Sequence, residues 1–223
     1  DFRRGEGVMT ENGNLFVKPQ EIEKRSFEII AQELGNRSFP EGTAEVVKRV
    51  IHATADFDYA ENLKFSTGAA AAAREALQAG ATIVTDTNMA LAGISKPALG
   101  QLGGKAVCFM ADADIAAEAR ARGVTRAVVS MERAAKLEGA VIFAVGNAPT
   151  ALIRLHELVQ AGEAAPALVI GVPLGFVNVV EAKELFLGGE TPYIIARGRK
   201  GGSNVAEAIV NALLYGLIQR EGF

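Results

Sequence analysis

Residues 140–172 read AVIFAVGNAPTALIRLHELVQAGEAAPALVIGV, a helix-favouring segment between two short apolar runs. The runs at 140–145 and 167–172 contain no charged residue, which predicts strands that are buried on both faces. Residues 150–160, between the runs, favour a helix. A strand, a helix and a second strand in this order indicate two parallel strands joined by a crossover helix.

The same alternation continues on both sides of this stretch. Further apolar runs are ATIVTD at 81–86, KAVCFM at 105–110 and PYIIAR at 192–197, which makes five predicted strands. Helices are predicted at 19–34, 41–53, 67–79, 114–122, 126–137, 150–160, 179–186 and 204–217. The sequence therefore predicts an α/β fold of the three-layer, doubly wound kind, with a mainly parallel five-stranded sheet and extra N-terminal helices, as in flavodoxin-like proteins. One domain is predicted over residues 9–223, and residues 1–8, which precede Met9, are interpreted as vector-derived or upstream residues.

The composition of the chain argues against several classes of function. The 223 residues are 49% hydrophobic and carry a net charge of −3, which is typical of a globular protein and predicts no nucleic-acid partner. The apolar runs are too short to cross a bilayer, so we expect no membrane association and a cytoplasmic location. The single cysteine, Cys108, lies inside an apolar run, which favours a packing role. Two distant histidines and no CxxC pair predict no metal site.

Polar residues follow the predicted strands, and ligands in such folds bind outside the carboxyl ends of the strands. The candidates are Thr85, Asp86, Asn147, Thr150, Arg197, Arg199 and Ser203. The segment RGRKGGS at 197–203 could bind a phosphate or a carboxylate through glycine N–H groups, three cations and a final helix capped by Ser203. The alternative is a surface turn with a solvated charge cluster. Thr85 and Asp86 could likewise only cap the segment that follows them.

The segment VVKRVIHATADFDY at 46–59 places a histidine where an apolar helical pattern ends. Arg49, His52 and Asp56 are spaced i, i+3 and i+7, so we expect them to share one side of the helix. A helix C-terminus favours the imidazolium form, and Asp56 could orient the ring, which is an arrangement suited to general acid catalysis. The alternative is a histidine that only caps the helix end.

Six segments, in order along the chain, resemble the precorrin-8X methylmutase family. They are RSFEII at 25–30, VVKRVIHATAD at 46–56, TDTNMALAGI at 85–94, GNAPTAL at 146–152, GVPLGFV at 171–177 and RGRKGGSNVAEAIVNAL at 197–213. The resemblance implies a methyl migration from carbon 11 to carbon 12 of a tetrapyrrole. Precorrin-8X would become hydrogenobyrinate, or its cobalt form cobyrinate, without a cofactor. It also implies that His52 is the acid catalyst, that Ser26 and Arg49 contact the substrate, and that the protein is a homodimer.

The tetrapyrrole substrate and corrin product implied by this resemblance carry several rim carboxylates. Arginine side chains and helix N-termini bind such groups, which makes Arg49, Arg126, Arg197 and Arg199 candidates, together with the helix start at 201–203 and the turn at 147–150. Ser26 could instead bond the carbonyl of Ile22 on its own helix. Hand-over of the product to the next pathway enzyme is a further expectation. Two other functions stay open: a non-catalytic corrinoid carrier, and a flavodoxin-like enzyme for a nucleotide or phosphate ligand.

Overall fold

A six-stranded sheet forms the centre of the protein in the computed structural model, which describes residues 19–218. The strands are β1 (Leu63–Phe65), β2 (Thr82–Thr85), β3 (Lys105–Val107), β4 (Val141–Val145), β5 (Leu168–Gly171) and β6 (Tyr193–Ala196). They lie in the order β1-β6-β5-β4-β2-β3. The helices are α1 (Pro19–Leu34), α2 (Ala44–Thr54), α3 (Tyr59–Asn62), α4 (Ala69–Gln78), α5 (Asn88–Gly93), α6 (Lys96–Gln101), α7 (Ala113–Arg122), α8 (Arg126–Ala134), α9 (Pro149–Gln160), α10 (Val179–Glu184) and α11 (Ser203–Tyr215).

The five predicted strands are β2 to β6, and all of their ladders are parallel. Numbered among themselves along the chain, they follow the flavodoxin order 2-1-3-4-5, so the predicted fold class is confirmed. The chain reverses direction across the sheet between β2 and β4, where Ile83 is opposite Ile142. In a doubly wound sheet this switch point is where ligands bind.

The prediction of five strands was wrong by one, because β1 adds an antiparallel strand beside β6. Leu63 is opposite Ala196, and the hydrogen bond from the Arg197 N–H to the Asn62 carbonyl (2.8 Å) extends the ladder. With three residues and a lysine at its centre, β1 has no apolar run that would predict a strand. It lies at the edge of the sheet, where short strands with a charged residue are common.

The long helices follow the prediction closely, with shifted ends. The helix predicted over 126–137 ends at Ala134, the one predicted over 179–186 ends at Glu184, and the last one begins at Ser203. The short helices α3, α5 and α6 were not predicted, because four to six residues carry too little periodicity. Local caps begin two of them: Thr87 accepts from the Ala90 N–H, and Ser95 from the Ala98 N–H.

The core consists of two main layers, one on each face of the sheet. On one face, Ile83, Ile142 and Ile170 pack with residues of α2, α4 and α11. On the other, Phe143 and Val169 pack with residues of α8, α9 and α10. Alternate residues of each strand therefore face opposite helical layers, as the unbroken apolar runs predicted. Within the described chain, none of the helices combines the length and apolar character that a membrane span requires.

Candidate functional site

His52 lies in the last turn of α2, which ends at Thr54 because Ala55 adopts a left-handed conformation (φ 53°). The Ala55 N–H donates to the Ile51 carbonyl at 2.7 Å and closes the helix. The imidazole is exposed and stacks on Phe27 of α1, with ring centroids 5.1 Å apart and an interplanar angle of 18°. The structure thus presents the predicted proton donor to solvent on an aromatic support.

Asp56 does not orient this ring, so that part of the sequence prediction is wrong. The spacing argument assumed a continuous helix, and the left-handed Ala55 turns the chain away before Asp56 is reached. The Asp56 carboxylate accepts instead from Lys200 Nζ at 2.6 Å and from the Asp58 N–H at 3.0 Å. The hydrogen bond from Lys200 lowers the pKa of Asp56. Across residues 19–218, no hydrogen bond or ion pair joins Asp56 to His52.

Arg49 lies one turn before His52 and joins three helices. Its Nη1 donates to Glu23 Oε1 of α1 at 2.6 Å, and both side chains are less than one-fifth exposed. Its guanidinium also lies over the rings of Phe27 (4.6 Å) and Tyr215 of α11 (5.2 Å). Phe27 therefore contacts both Arg49 and His52. Neither Phe27 nor Glu23 was predicted as a site residue, although Phe27 lies inside the matching segment RSFEII.

Ser26 precedes Phe27 on α1, and its hydroxyl donates to the Ile22 carbonyl at 2.8 Å. This is the local hydrogen bond that the sequence offered as the alternative to a substrate contact. The side chain is half-buried. A hydroxyl oxygen that donates one hydrogen bond can still accept another, so the bond occupies only the hydroxyl proton.

Asp86 connects the two strands of the switch point. It follows β2, is 1% exposed, and accepts from the N–H groups of Gly146, Asn147 and Ala148 after β4 at 2.8, 2.8 and 2.6 Å. Burial raises the pKa of Asp86, and these three donors oppose that rise. The backbone N–H groups at the start of the 147–150 turn, which were predicted to bind a substrate carboxylate, are thus occupied by the protein's own carboxylate.

Thr85 is fully buried beside Asp86, and its hydroxyl donates to the Thr87 carbonyl at 3.0 Å. Neither residue caps α5, because Thr87 accepts the capping hydrogen bond from the Ala90 N–H. The Asn147 side chain is exposed, whereas Thr150 Oγ1 lies 3.0 Å from Thr125 Oγ1. That contact places Thr150 near the exposed Arg126, the first residue of α8, whose Nη1 reaches the Met110 carbonyl at 3.5 Å.

The segment 197–203 passes close to the ends of β4 and β5. The Gly202 N–H donates to the Val172 carbonyl at 2.8 Å, and a Cβ on Gly201 would clash with that oxygen. Gly202, with φ 136°, occupies the N-cap position of α11, so the prediction that Ser203 is the cap was wrong. Ser203 is the first helical residue, and its hydroxyl lies 2.7 Å from Thr87 Oγ1.

Arg197 and Arg199 point away from the core on this segment. Both side chains are exposed. Arg197 Nη2 lies 3.8 Å from Glu184 Oε1, and the Arg199 guanidinium carbon lies 5.5 Å from the centroid of the Phe176 ring. Phe176 is itself 83% exposed in the loop between β5 and α10. A cationic and an apolar surface therefore meet at the carboxyl ends of β5 and β6.

Lys183 of α10 was missed by sequence reasoning, because EAKE looks like a solvated helix face. The side chain is only 1% exposed, and its Nζ donates to the carbonyls of Gly198 and Lys200 at 2.8 Å each. Burial lowers the pKa of Lys183 to about 8. A buried amine thus holds the turn that carries Arg199.

The shifted pKa of Lys183 predicts a pH dependence of stability. Between about pH 8 and pH 10.5 the unfolded chain keeps the Lys183 proton that the folded chain has released. The unfolded state then binds more protons, so raising the pH stabilises the folded state. We expect the wild type to gain stability relative to Lys183→Met over this range in urea unfolding experiments. A constant difference between the two proteins would contradict the assignment, and Lys136→Met, which alters an exposed lysine, is the control.

The predicted residues fall into three neighbouring groups. Arg49 and His52 contact Phe27, and Ser26 precedes Phe27 on α1. The strand-end group consists of Thr85, Asp86, Asn147 and Ser203, which Asp86 and the Thr87–Ser203 contact hold together. Arg197 and Arg199 lie exposed on the same segment as Ser203. In the third group Thr150 contacts Thr125, the residue before Arg126. Within residues 19–218, no cluster of three or more His, Cys, Asp or Glu side chains could hold a metal ion.

The fold and this arrangement define the class of protein. It is a doubly wound α/β protein in which the turn after the exposed histidine's helix contacts the cationic loop that follows β6. The family model for precorrin-8X methylmutase matches residues 21–216. The chain belongs to the precorrin-8X methylmutase family, isomerases of cobalamin biosynthesis.

Individual relatives agree with that assignment. A cobalt-precorrin-8 methylmutase of Priestia megaterium is 42% identical over 96% of this chain and 92% of its own. A precorrin-8X methylmutase of Pseudomonas aeruginosa is 42% identical over 87% of this chain and 94% of its own. The crystal structure of the precorrin-8X methylmutase from Thermus thermophilus matches with a TM-score of 0.81 and 43% identity, over 87% and 94% of the two chains. The resemblance predicted from six segments is confirmed.

Proposed function

We propose that this protein catalyses the migration of a methyl group from carbon 11 to carbon 12 of precorrin-8X, or of its cobalt form, to give hydrogenobyrinate or cobyrinate. His52 is the acid that protonates the macrocycle. The observation that carries the proposal is the exposed His52 imidazole, stacked on Phe27 beside the ion-paired Arg49. Both named substrates occur among the relatives, so the proposal includes both.

The methyl migration requires only a proton donor and a binding site that fits the macrocycle. In the migration one carbon–carbon bond breaks at carbon 11 and one forms at carbon 12, so no group leaves the substrate. General acid catalysis contributes about 10²- to 10⁴-fold. The remaining acceleration has to come from binding the macrocycle more tightly as it approaches the transition state. Residues that fix its rim and its faces are therefore as important as His52.

The exposed arginines are proposed to bind the rim carboxylates. Arg197 and Arg199 lie on the loop after β6, and Arg126 lies at the start of α8, all with exposed side chains. Arg49 has less freedom because it already forms an ion pair with Glu23. We therefore assign Arg49 to the base of the substrate site, beside His52. Met89 and Phe176 are exposed apolar side chains that follow the carboxyl ends of β2 and β5. They can cover the faces of the macrocycle.

The buried candidates support the site from within. Thr85 and Asp86 are 0% and 1% exposed and have protein partners, so we propose that they fix the switch point and do not contact substrate. Ser203 joins this support through Thr87. Ser26, Asn147 and Thr150 are at least partly exposed, and we retain them as substrate contacts.

We further propose a single domain that acts as a cytoplasmic homodimer, with the site near the subunit interface and the product passed to the next pathway enzyme. The exposed apolar side chains Ile22 (53%) and Ile29 (41%) of α1 support a subunit contact, because they flank the Ser26 and Phe27 surface. Exposed apolar patches often mark interaction sites.

The proposed activity is tested by incubating the purified protein anaerobically with precorrin-8X and, separately, with its cobalt form. We expect an absorption change to the corrin product with at least one of them. Tight binding of the corrin product without turnover of either substrate would identify a carrier. Copurification of a nucleotide, without corrin binding, would favour the phosphate-ligand enzyme.

A further inference from the structure

Two lysines hold the cationic loop from opposite sides. Lys183, buried on α10, donates to the carbonyls of Gly198 and Lys200 at 2.8 Å each. These carbonyls flank Arg199, so the buried amine fixes the backbone that presents one of the proposed carboxylate ligands. An apolar side chain could fill the same space without the cost of burying an amine, which indicates that the two hydrogen bonds are what the position provides.

Lys200 extends the connection to the segment that follows α2. Its Nζ donates to Asp56 Oδ2 at 2.6 Å and to Asp58 Oδ2 at 2.7 Å. The two carboxylates raise the pKa of Lys200. Asp56 lies four residues beyond His52, just after the left-handed Ala55 that ends the helix. The Lys200 side chain therefore joins the loop of arginines to the turn that follows the helix of the proton donor.

The ion pairs of Lys200 with Asp56 and Asp58 fix the position of the loop more than they stabilise the fold. The Lys200 side chain is 49% exposed, and exposed ion pairs typically contribute at most about 1 kcal/mol. Two carboxylates on one ammonium nevertheless hold the loop against the turn. The hydrogen bond from the Asp58 N–H to Asp56 Oδ1 (3.0 Å) orders the turn itself. Removing Lys200 should loosen the connection and leave the fold intact.

We propose that Lys183 and Lys200 are positioning residues that hold the 197–203 loop against the 56–58 turn and so set where the arginines stand relative to His52. The inference rests on the proposed function. It adds two residues that act without contacting the reacting carbons or the carboxylates of the substrate. One ring system carries both the rim carboxylates and the reacting carbons, so the arginines and His52 can reach them together only if loop and helix keep a suitable separation. A misplacement of about 1 Å can cost about 10²-fold in rate.

The test compares Lys200→Met, Lys200→Arg and Lys183→Met, with the exposed Lys136→Met as the control. We expect Lys200→Met to lower kcat/KM about 10- to 100-fold. Both kcat and KM should change, because the arginines that bind the rim and the histidine that donates the proton would no longer keep their relative positions. Its melting temperature should stay near that of the wild type, since the pair is exposed. Lys200→Arg keeps the charge and should restore most of the activity. Lys183→Met should show the same loss, and if it fails to fold, Lys200→Met alone decides.

Wild-type kcat/KM in a folded Lys200→Met variant would overturn the inference. Conversion of neither substrate form by the wild type would instead overturn the proposed function, and the positioning then needs a readout without turnover. The chain has two histidines, so proton NMR separates His52 from His156 once His52→Ala identifies its signal. Because His52 stacks on Phe27, its ring signals respond to small displacements. Lys200→Met should shift the His52 Cε1 proton signal and leave that of His156; an unchanged His52 signal would refute the positioning role.

Discussion

Replacing His52 with alanine is expected to lower kcat of the methyl migration by about 10²- to 10⁴-fold, the usual contribution of a general acid. The affinity for the corrin product should change little, because the arginine side chains and the 197–203 loop remain. The fold should also persist, since the imidazole is exposed and its main contact is the stacked Phe27 ring. Single-turnover absorption measurements give the rate, and a titration with product gives the affinity.

The matched control for His52→Ala is His156→Ala, the chain's other histidine. His156 lies on α9 and meets Phe186 edge-on, with ring centroids 5.5 Å apart, away from the Phe27 surface. We expect wild-type turnover from this variant. Full activity in His52→Ala would contradict the acid role. Loss of product binding in proportion to loss of rate would instead make His52 a binding residue.

The second large effect is expected on stability, from Asp86→Ala. The change removes the acceptor of three backbone N–H groups, those of Gly146, Asn147 and Ala148. Each donor left without a partner costs about 1–3 kcal/mol, so we expect a loss of about 3 kcal/mol or more in the free energy of unfolding. Urea unfolding followed by circular dichroism measures the loss.

Glu138→Ala, which removes an exposed carboxylate on the α8–β4 connection, is the control for Asp86→Ala. Surface changes of this kind usually stay within about 0.5 kcal/mol of the wild type. If Asp86→Ala fell in the same range, water would have to satisfy the switch-point donors, and the support role assigned to Asp86 would be wrong. Asp86→Asn should lose less than the alanine variant, because its amide oxygen can still accept.

The sheet was largely predictable because four of its five parallel strands, β2, β4, β5 and β6, are buried on both faces. Burial on both faces leaves apolar runs in the sequence, as at 140–145 and 167–172. The β1 strand left no such signal: Lys64 is exposed, and the strand depends on pairing with β6, residues distant in sequence. Short helices such as α6 depend on similar distant partners, since the Ser95 N–H donates to Asn211 Oδ1 at 2.8 Å.

The site was predictable in its residue types more than in its partners. The apolar pattern of α2 located His52 near the helix end, but the partner of Asp56 depends on the left-handed Ala55, a conformation that alanine rarely adopts. Asp86 was selected for its position after a strand, yet the structure buries it. Lys183 looked like a surface residue because its burial depends on the loop that folds over it. Contacts between distant segments bury Asp86 and Lys183, whereas the left-handed Ala55 is a local feature of the backbone.

The most direct test of the proposed activity follows the migrating carbon itself. Precorrin-8X and its cobalt form, each labelled with ¹³C in the carbon-11 methyl group, are incubated anaerobically with the wild type and with His52→Ala, and the label is located by NMR. We expect the wild type to move the label to carbon 12 without exchange with unlabelled methyl groups, and His52→Ala to move it about 10²- to 10⁴-fold more slowly. A label that stays on carbon 11 in both substrate forms with the wild type would contradict the proposed isomerisation.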